Sequence, residues 1–184
     1  YTHQSTALAA AEYEEREDNR QIHSRLKEHI LEQVNLLHFS NIDKLIAYCL
    51  VDSLDDKGFL DATLEDILLA VTHILQEMQC DDEVELDEIV VVLKHIQRLD
   101  PIAVGSRNLA ECLKIQLESQ PHQIPYLAEA KNLLNYYELL ISNDLNKLLK
   151  QTGLSKDQLK CALDVLKTLK PYPGLEFNQQ EAEY

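Results

Sequence analysis

Residues 96–117 carry the densest grouping of side chains able to do chemistry. Arg107 and Glu111 lie four residues apart, the spacing at which a guanidinium and a carboxylate meet on one helix face. Arg107 falls in the expected first turn of a helix, where the dipole disfavours a cation. The pair therefore reads either as a tether or partner contact, or as an ordinary surface ion pair. A second grouping is cationic: Lys147, Lys150, Lys156, Lys160, Lys167 and Lys170 stand against Asp144, Asp157 and Asp164. Around the turn at Gly153 they form a helix–turn–helix-like spacing, and lysines of such a unit can approach phosphates. The turn that would read bases holds Ser155, Lys156, Asp157 and Gln158. Of these, only Gln158 suits a base edge, and Asp157 would face phosphates unfavourably. A structural three-helix unit with phosphate proximity at Lys156, Lys160 and Lys167 is favoured over sequence-specific reading. Asp55 and Asp56 are adjacent carboxylates, a pattern acid–base catalysis can use, but neighbouring acids in a turn normally face solvent.

Other reactive patterns are missing from the sequence. The seven histidines are scattered, with no H-E-x-x-H and no Cys/His pair at metal-ligand spacing. There is no nucleophile elbow, phosphate-binding loop or dinucleotide fingerprint. No catalytic residue, metal or cofactor is assigned, and the chain reads as a non-enzyme. Cys49, Cys80, Cys112 and Cys161 stand far apart, as free thiols do in a reducing cytoplasm.

The elements that must position these groups are helices. The chain has 184 residues, 45% apolar and 27% charged, enough for one domain or two small ones. Only four glycines and five prolines occur, too few for many short strands. No apolar run reaches membrane-span length, and no signal peptide shows at Tyr1-Thr2-His3-Gln4. The net charge is −15, the opposite of a free nucleic-acid-binding domain. Residues 1–100 hold 22 acids and 8 bases, residues 101–184 hold 10 acids and 9 bases. The acidity thus lies in the first half and suits a basic partner, or one met through apolar contacts.

Along the chain, residues 1–20 read as an acidic flexible lead-in. A first helical subdomain is expected over 21–120. Apolar residues recur at helical spacing from Ile22 to Leu37 and from Ile42 to Leu50. Asp55-Asp56-Lys57-Gly58 breaks the chain, with Gly58 suited to positive φ. Thr63 with Asp66 caps a third helix, an acidic loop holds Asp81-Asp82-Glu83, and Leu86–Arg98 form a fourth. Ser106 is expected to cap the next helix. A second subdomain covers 121–176: a long helix from Pro125 to about Ser142, then two helices around Gly153, the second started by Ser155 and Gln158. Residues 177–184 read as a tail. The expected fold is all-α, two small helical subdomains.

Several of these stretches resemble one family. Leu99-Asp100-Pro101-Ile102-Ala103-Val104-Gly105-Ser106-Arg107-Asn108-Leu109-Ala110-Glu111-Cys112-Leu113, continuing to Leu117, looks like the signature LDPxGVGARxLxECLxLQL of the core-binding domain of sigma-54 class RNA polymerase sigma factors. Asp55 to Leu60, Leu86 to Ile89, and Pro171-Tyr172-Pro173-Gly174 resemble further motifs of that family in the same order. The resemblance covers about residues 22–176. Ala103 stands where the family usually has Gly, and Tyr172 where it usually has a basic residue.

The resemblance implies a bacterial alternative sigma factor that binds core RNA polymerase. Promoter DNA and an AAA+ activator would be met only through regions of the full-length factor that are not in these 184 residues. Candidate polymerase-binding residues are Asp100, Pro101, Arg107, Glu111 and Gln116. Alanine at both Arg107 and Glu111 is expected to weaken that binding while leaving the thermal midpoint nearly unchanged. The acidic residues 1–20 would match the family's acidic linker. An autonomous helix-turn-helix DNA-binding module, or a generic helical adaptor, remains the alternative.

Overall fold

The computed structural model describes residues 3–183. They form ten helices, and among them the only β-pairing is a single bridge between Leu54 and Leu60. The all-α expectation holds. Helix α1 spans His3–Leu36, α2 Asn41–Asp52, α3 Leu64–Glu77 and α4 Leu86–Ile96. They pack as one bundle, with Leu26, Ile30, Val34, Ile46, Leu50, Val71, Ile89 and Ile96 at its centre.

Local signals set most of the boundaries. Ser40 accepts from Asp43 N, Thr63 and Asp66 form a reciprocal capping box, and Glu88 accepts from Glu85 N at 2.8 Å, each tying down amides at or beside a helix start. The run Val90-Val91-Val92 is helical despite its β-propensity, because Ile89, Val92, Leu93 and Ile96 share a buried stripe.

Of residues 1–20, expected to be an acidic flexible lead-in, the described residues 3–20 belong to α1 without a break. Their side chains from Ala7 to Arg16 are exposed. Ala7, Leu8, Ala9, Ala10, Ala11 and Glu12 are strong helix formers. Once Leu26, Ile30 and Val34 anchor the packed half, adding turns costs no new nucleus.

Helix α5 spans Leu109–Ser119 and joins the two halves of the molecule. Its Cys112 and Ile115 pack with Ala103, Phe59 and Ile102, while Leu117 belongs to a second cluster with Leu127, Leu133, Leu148, Leu159 and Ala162. That cluster is built by α6 Leu127–Leu134, α7 Tyr137–Ile141, α8 Leu145–Thr152 and α9 Lys156–Lys167. The expected long helix from Pro125 is two pieces. Tyr126 is left-handed at φ 63 ahead of α6, and the chain breaks at Asn135-Tyr136, residues of modest helix propensity. Tyr136 turns to donate its hydroxyl to Gln151 O at 3.3 Å. Gly153, at φ 71, ends α8, and Ser155 with Gln158 forms the capping box of α9.

The chain then returns to the first bundle. Pro173–Ala182 form α10 where a tail was expected from residue 177. Proline suits a helix start because its missing N–H would be unpaired there anyway. Phe177 is 7% exposed within the first core and stacks on His29 of α1 at 5.2 Å. Burying such a ring contributes about 1.5–3 kcal/mol, which holds α10 to α1.

Candidate functional site

Three turns from distant parts of the sequence converge on Gly58. Asp55 Oδ1 accepts from Lys57 N at 3.0 Å and Phe59 N at 2.9 Å, a side-chain turn that leads into Gly58 at φ 83. Asp55 is therefore engaged with its own backbone rather than paired with Asp56 for proton transfer. On one side Gly105 N donates to Gly58 O at 2.8 Å, and Leu60 N to Ser106 O at 3.0 Å. On another, Gly174 N donates to Lys57 O at 2.9 Å. Tyr172 closes the junction. Its ring lies 5.9 Å from that of Phe59, and Lys57 Nζ sits 5.1 Å from its centroid, a cation–π distance.

The 100–107 corner is held from inside. Pro101, after a cis bond from Asp100, is buried. Ser106 is fully buried and donates its hydroxyl to Ala103 O at 2.6 Å, so it does not cap α5. Asn108 does so, its Oδ1 accepting from Glu111 N at 2.9 Å. Since the Ser106 carbonyl is already claimed by Leu60, the helix starts later, and Arg107 precedes the cap rather than occupying the first turn.

The expected contact residues separate into different roles. Asp100 is exposed at its side chain and tied to α1. His29 Nε2 lies 2.9 Å from Asp100 Oδ2, and Gln33 brackets the Asp100 backbone, accepting from its N at 2.9 Å and donating to its O at 2.6 Å. Arg107 Nε donates to Glu111 Oε2 at 2.7 Å, the arginine side chain 52% exposed and the glutamate 17%. Glu111 also accepts from Gln97 Nε2, and Gln97 donates to Gly105 O at 3.3 Å. Gln116 is buried. Its Oε1 accepts from Lys170 N at 2.8 Å and its Nε2 donates to Lys170 O, so it clamps the segment leaving α9 to α5. Burial pushes the neighbouring Cys112 thiol above its ordinary pKa, with Glu111 adding to the effect and hydrogen bonds from Gln116 and Ser106 opposing it.

Sequence reasoning missed His29, Gln33, Gln97 and Phe177 as members of this framework. A polar residue within an apolar stripe, as at Gln97 after Ile96, was the available signal for a buried side chain with a partner.

Two open surfaces flank the framework. A cleft of about 650 Å³ between α5 and α6 is lined by Arg107, Glu111, Lys114, Glu118, Lys131 and Asn135, among others. A groove of about 410 Å³ between α8 and α9 holds the three candidate lysines, Lys156, Lys160 and Lys167. The lysines thus lie on a different surface from Arg107 and Glu111. Among the described residues no cluster of His, Cys, Asp and Glu could hold a metal ion. None of the described helices is long and apolar enough to cross a membrane.

Fold and junction together define an all-helical framework that presents surfaces. The family described as "Sigma-54 factor, core binding domain" matches residues 15–184, and the chain belongs to it. It is 62% identical over its full length to an RNA polymerase sigma-54 factor of Acinetobacter guillouiae, covering 38% of that protein. With the RNA polymerase sigma-54 factor of Pseudomonas aeruginosa it shares 40% identity over 86% of this chain and 31% of the relative. With that of Escherichia coli K12 the figures are 37%, 86% and 32%. The chain therefore spans about a third of the length of these curated relatives.

Proposed function

We propose that this chain docks onto bacterial core RNA polymerase as the central part of a sigma-54-type initiation factor. The observation that carries the reading is the match of residues 15–184 to the core-binding domain of that family. The structure supports it physically. The framework spends Gln116, Pro101 and the backbone of Asp100 on internal closure and leaves Arg107 and its cleft facing outward. Docking on this reading uses Arg107 and the adjoining α5–α6 surface, while Asp100, Pro101, Glu111 and Gln116 shape it. The acidic first half, including exposed Glu12, Glu14, Glu15 and Asp18 on α1, steers the chain toward basic surfaces of the polymerase. Promoter DNA and an AAA+ activator act through other regions of a full-length factor, and the chain carries out no reaction of its own.

The test is a fluorescence titration of the labelled chain against bacterial core polymerase at two salt concentrations. Saturable binding that a full-length sigma-54-class factor displaces supports docking, and weaker association at high salt supports the steering role. A chain that is folded by circular dichroism yet shows no saturable binding overturns the reading.

A further inference from the structure

The groove between α8 and α9 has an apolar floor and a basic rim. Leu145 and Leu149 face it from α8, Leu159 and Leu163 from α9. Each pair is separated by four residues, one turn of helix, so each helix presents one apolar ridge. Leu145 is 43% exposed, so the floor is open to solvent. Lys156, Lys160 and Lys167 stand along the rim, with Asp164 the one carboxylate beside them. Among the described residues no ion pair engages any of these three lysines. In a chain of net charge −15, this is a local cationic surface with its charge uncommitted.

We propose that this groove is a docking site for an acidic amphipathic helix of a partner protein, distinct from the Arg107 cleft. The leucine ridges accept an apolar stripe repeating every three to four residues, the helix-in-groove mode of recognition. The rim lysines meet Asp or Glu on the flanks of that stripe. Helix α9 has 12 residues and is about 18 Å long, so the groove holds about three turns of a partner. Duplex DNA fits less well. Its phosphates would meet the lysines but would leave the leucine floor uncovered. The inference does not depend on polymerase binding.

The probe is a fluorescein-labelled synthetic helix of about 18 residues, some 27 Å long, with leucine at every third or fourth position and glutamate on both flanks. Its anisotropy is titrated with the 184-residue chain, alongside a peptide carrying lysine for every glutamate and a short labelled DNA duplex. Saturable binding of the acidic peptide, with amide shift changes confined to α8 and α9, is the expected result. Reversing the rim with Lys156→Glu, Lys160→Glu and Lys167→Glu together weakens it about tenfold, as three exposed ion pairs would. Leu145→Asp, at an exposed position, also weakens it while circular dichroism stays unchanged. The proposal is overturned if the acidic peptide does not bind, if the lysine peptide binds as well, or if charge reversal has no effect. It is equally overturned if the duplex binds at α8–α9 and the peptide cannot displace it, or if a second copy of the chain occupies the groove.

Discussion

Gly58 and Gly174 meet backbone to backbone. A Cβ built on Gly174 would stand 2.5 Å from Asp56 O and 2.8 Å from Gly58 N, and one built on Gly58 would stand 2.8 Å from Gly174 N. No side chain fits between them, and the Gly174 N–H bond to Lys57 O depends on that closeness. Because Gly105 N also binds Gly58 O, the turn at residues 55–60, the corner at 100–107 and the ending at 171–174 form one junction. These are three of the segments through which the sequence resembles its family, and the first touches each of the other two.

Gly174→Ala should therefore destabilise the chain by about 1–3 kcal/mol, because the atoms it meets are backbone and cannot swing aside. Local loosening is expected at α10, whose Phe177 holds to α1. Urea unfolding gives the loss, and hydrogen exchange in α10 locates it. Gly58→Ala and Gly153→Ala are the comparison pair: both positions are left-handed, at φ +83 and +71, but Gly58 has Gly174 N 2.8 Å from its Cβ while Gly153 has nothing within 4 Å, so Gly153→Ala carries only the conformational cost. Equal losses at the two sites would remove the case for close approach.

Gln116→Ala leaves Lys170 N and O without the partners that Gln116 supplies. Stripping partners from partly buried backbone groups costs about 1–3 kcal/mol. The urea midpoint should fall, and exchange should quicken at Lys170 and Leu169. A variant as stable as the parent would mean that water replaces the clamp at no cost.

Arg107 and Glu111 are not equivalent, although the sequence treats them as a pair. An exposed ion pair is worth about 0–1 kcal/mol, so Arg107→Ala should leave the thermal midpoint nearly unchanged. Glu111→Ala additionally takes a partner from Gln97, which is 6% exposed, and should cost about 1–3 kcal/mol. The double alanine variant is thus expected to lose stability, contrary to the sequence-based expectation. Arg107→Ala alone is the clean probe of docking. Reduced polymerase binding at an unchanged midpoint supports a contact role, and unchanged binding assigns Arg107 to the surface.

What the sequence made legible was local. The capping boxes at Thr63–Asp66 and Ser155–Gln158, and the left-handed glycines at 58 and 153, are settled by chemistry within four residues. The convergence of Gly58, Gly105 and Gly174 is backbone packing between distant segments, and no periodicity encodes it. Gln116 enters the candidate contacts with the rest of its motif, yet it sits between buried Ile115 and Leu117 on α5, a position that calls for an internal partner. The first turns of α1 were missed for the opposite reason. They carry helix propensity without an apolar stripe, and periodicity alone cannot see them.

Alkaline pH should weaken the fold through its thiols. Burial raises the Cys112 pKa, and burial with the nearby Asp52 raises that of Cys49, both from an ordinary 9.0. The folded chain therefore keeps these thiols protonated after the unfolded chain has begun to lose its protons. Their contribution is fully present below the unfolded value and is lost as pH rises through the folded one. Unfolding free energy should decline above about pH 9, and Cys49→Ala with Cys112→Ala should flatten that decline. An unchanged slope in the double variant would assign the loss to other groups.

Ala103 occupies a glycine-like conformation at φ 66 and is fully buried, at the position where the family usually has glycine. Ala103→Gly should relieve about 1–2 kcal/mol of left-handed strain. Against this stand about 0.8 kcal/mol for the lost buried carbon and about 0.4–1 kcal/mol for the greater freedom of the unfolded chain. These terms nearly cancel, so the variant should lie within about 1 kcal/mol of the parent. Ala47→Gly removes an equally buried methyl from the interior of α2, where there is no strain to relieve. The lost carbon and the helical penalty of glycine then add to about 2 kcal/mol. Urea midpoints of the two variants, measured side by side, isolate the backbone effect. A clear gap favouring Ala103→Gly confirms that this corner is shaped for glycine and tolerates alanine, and equal losses would show that the left-handed turn costs alanine nothing here.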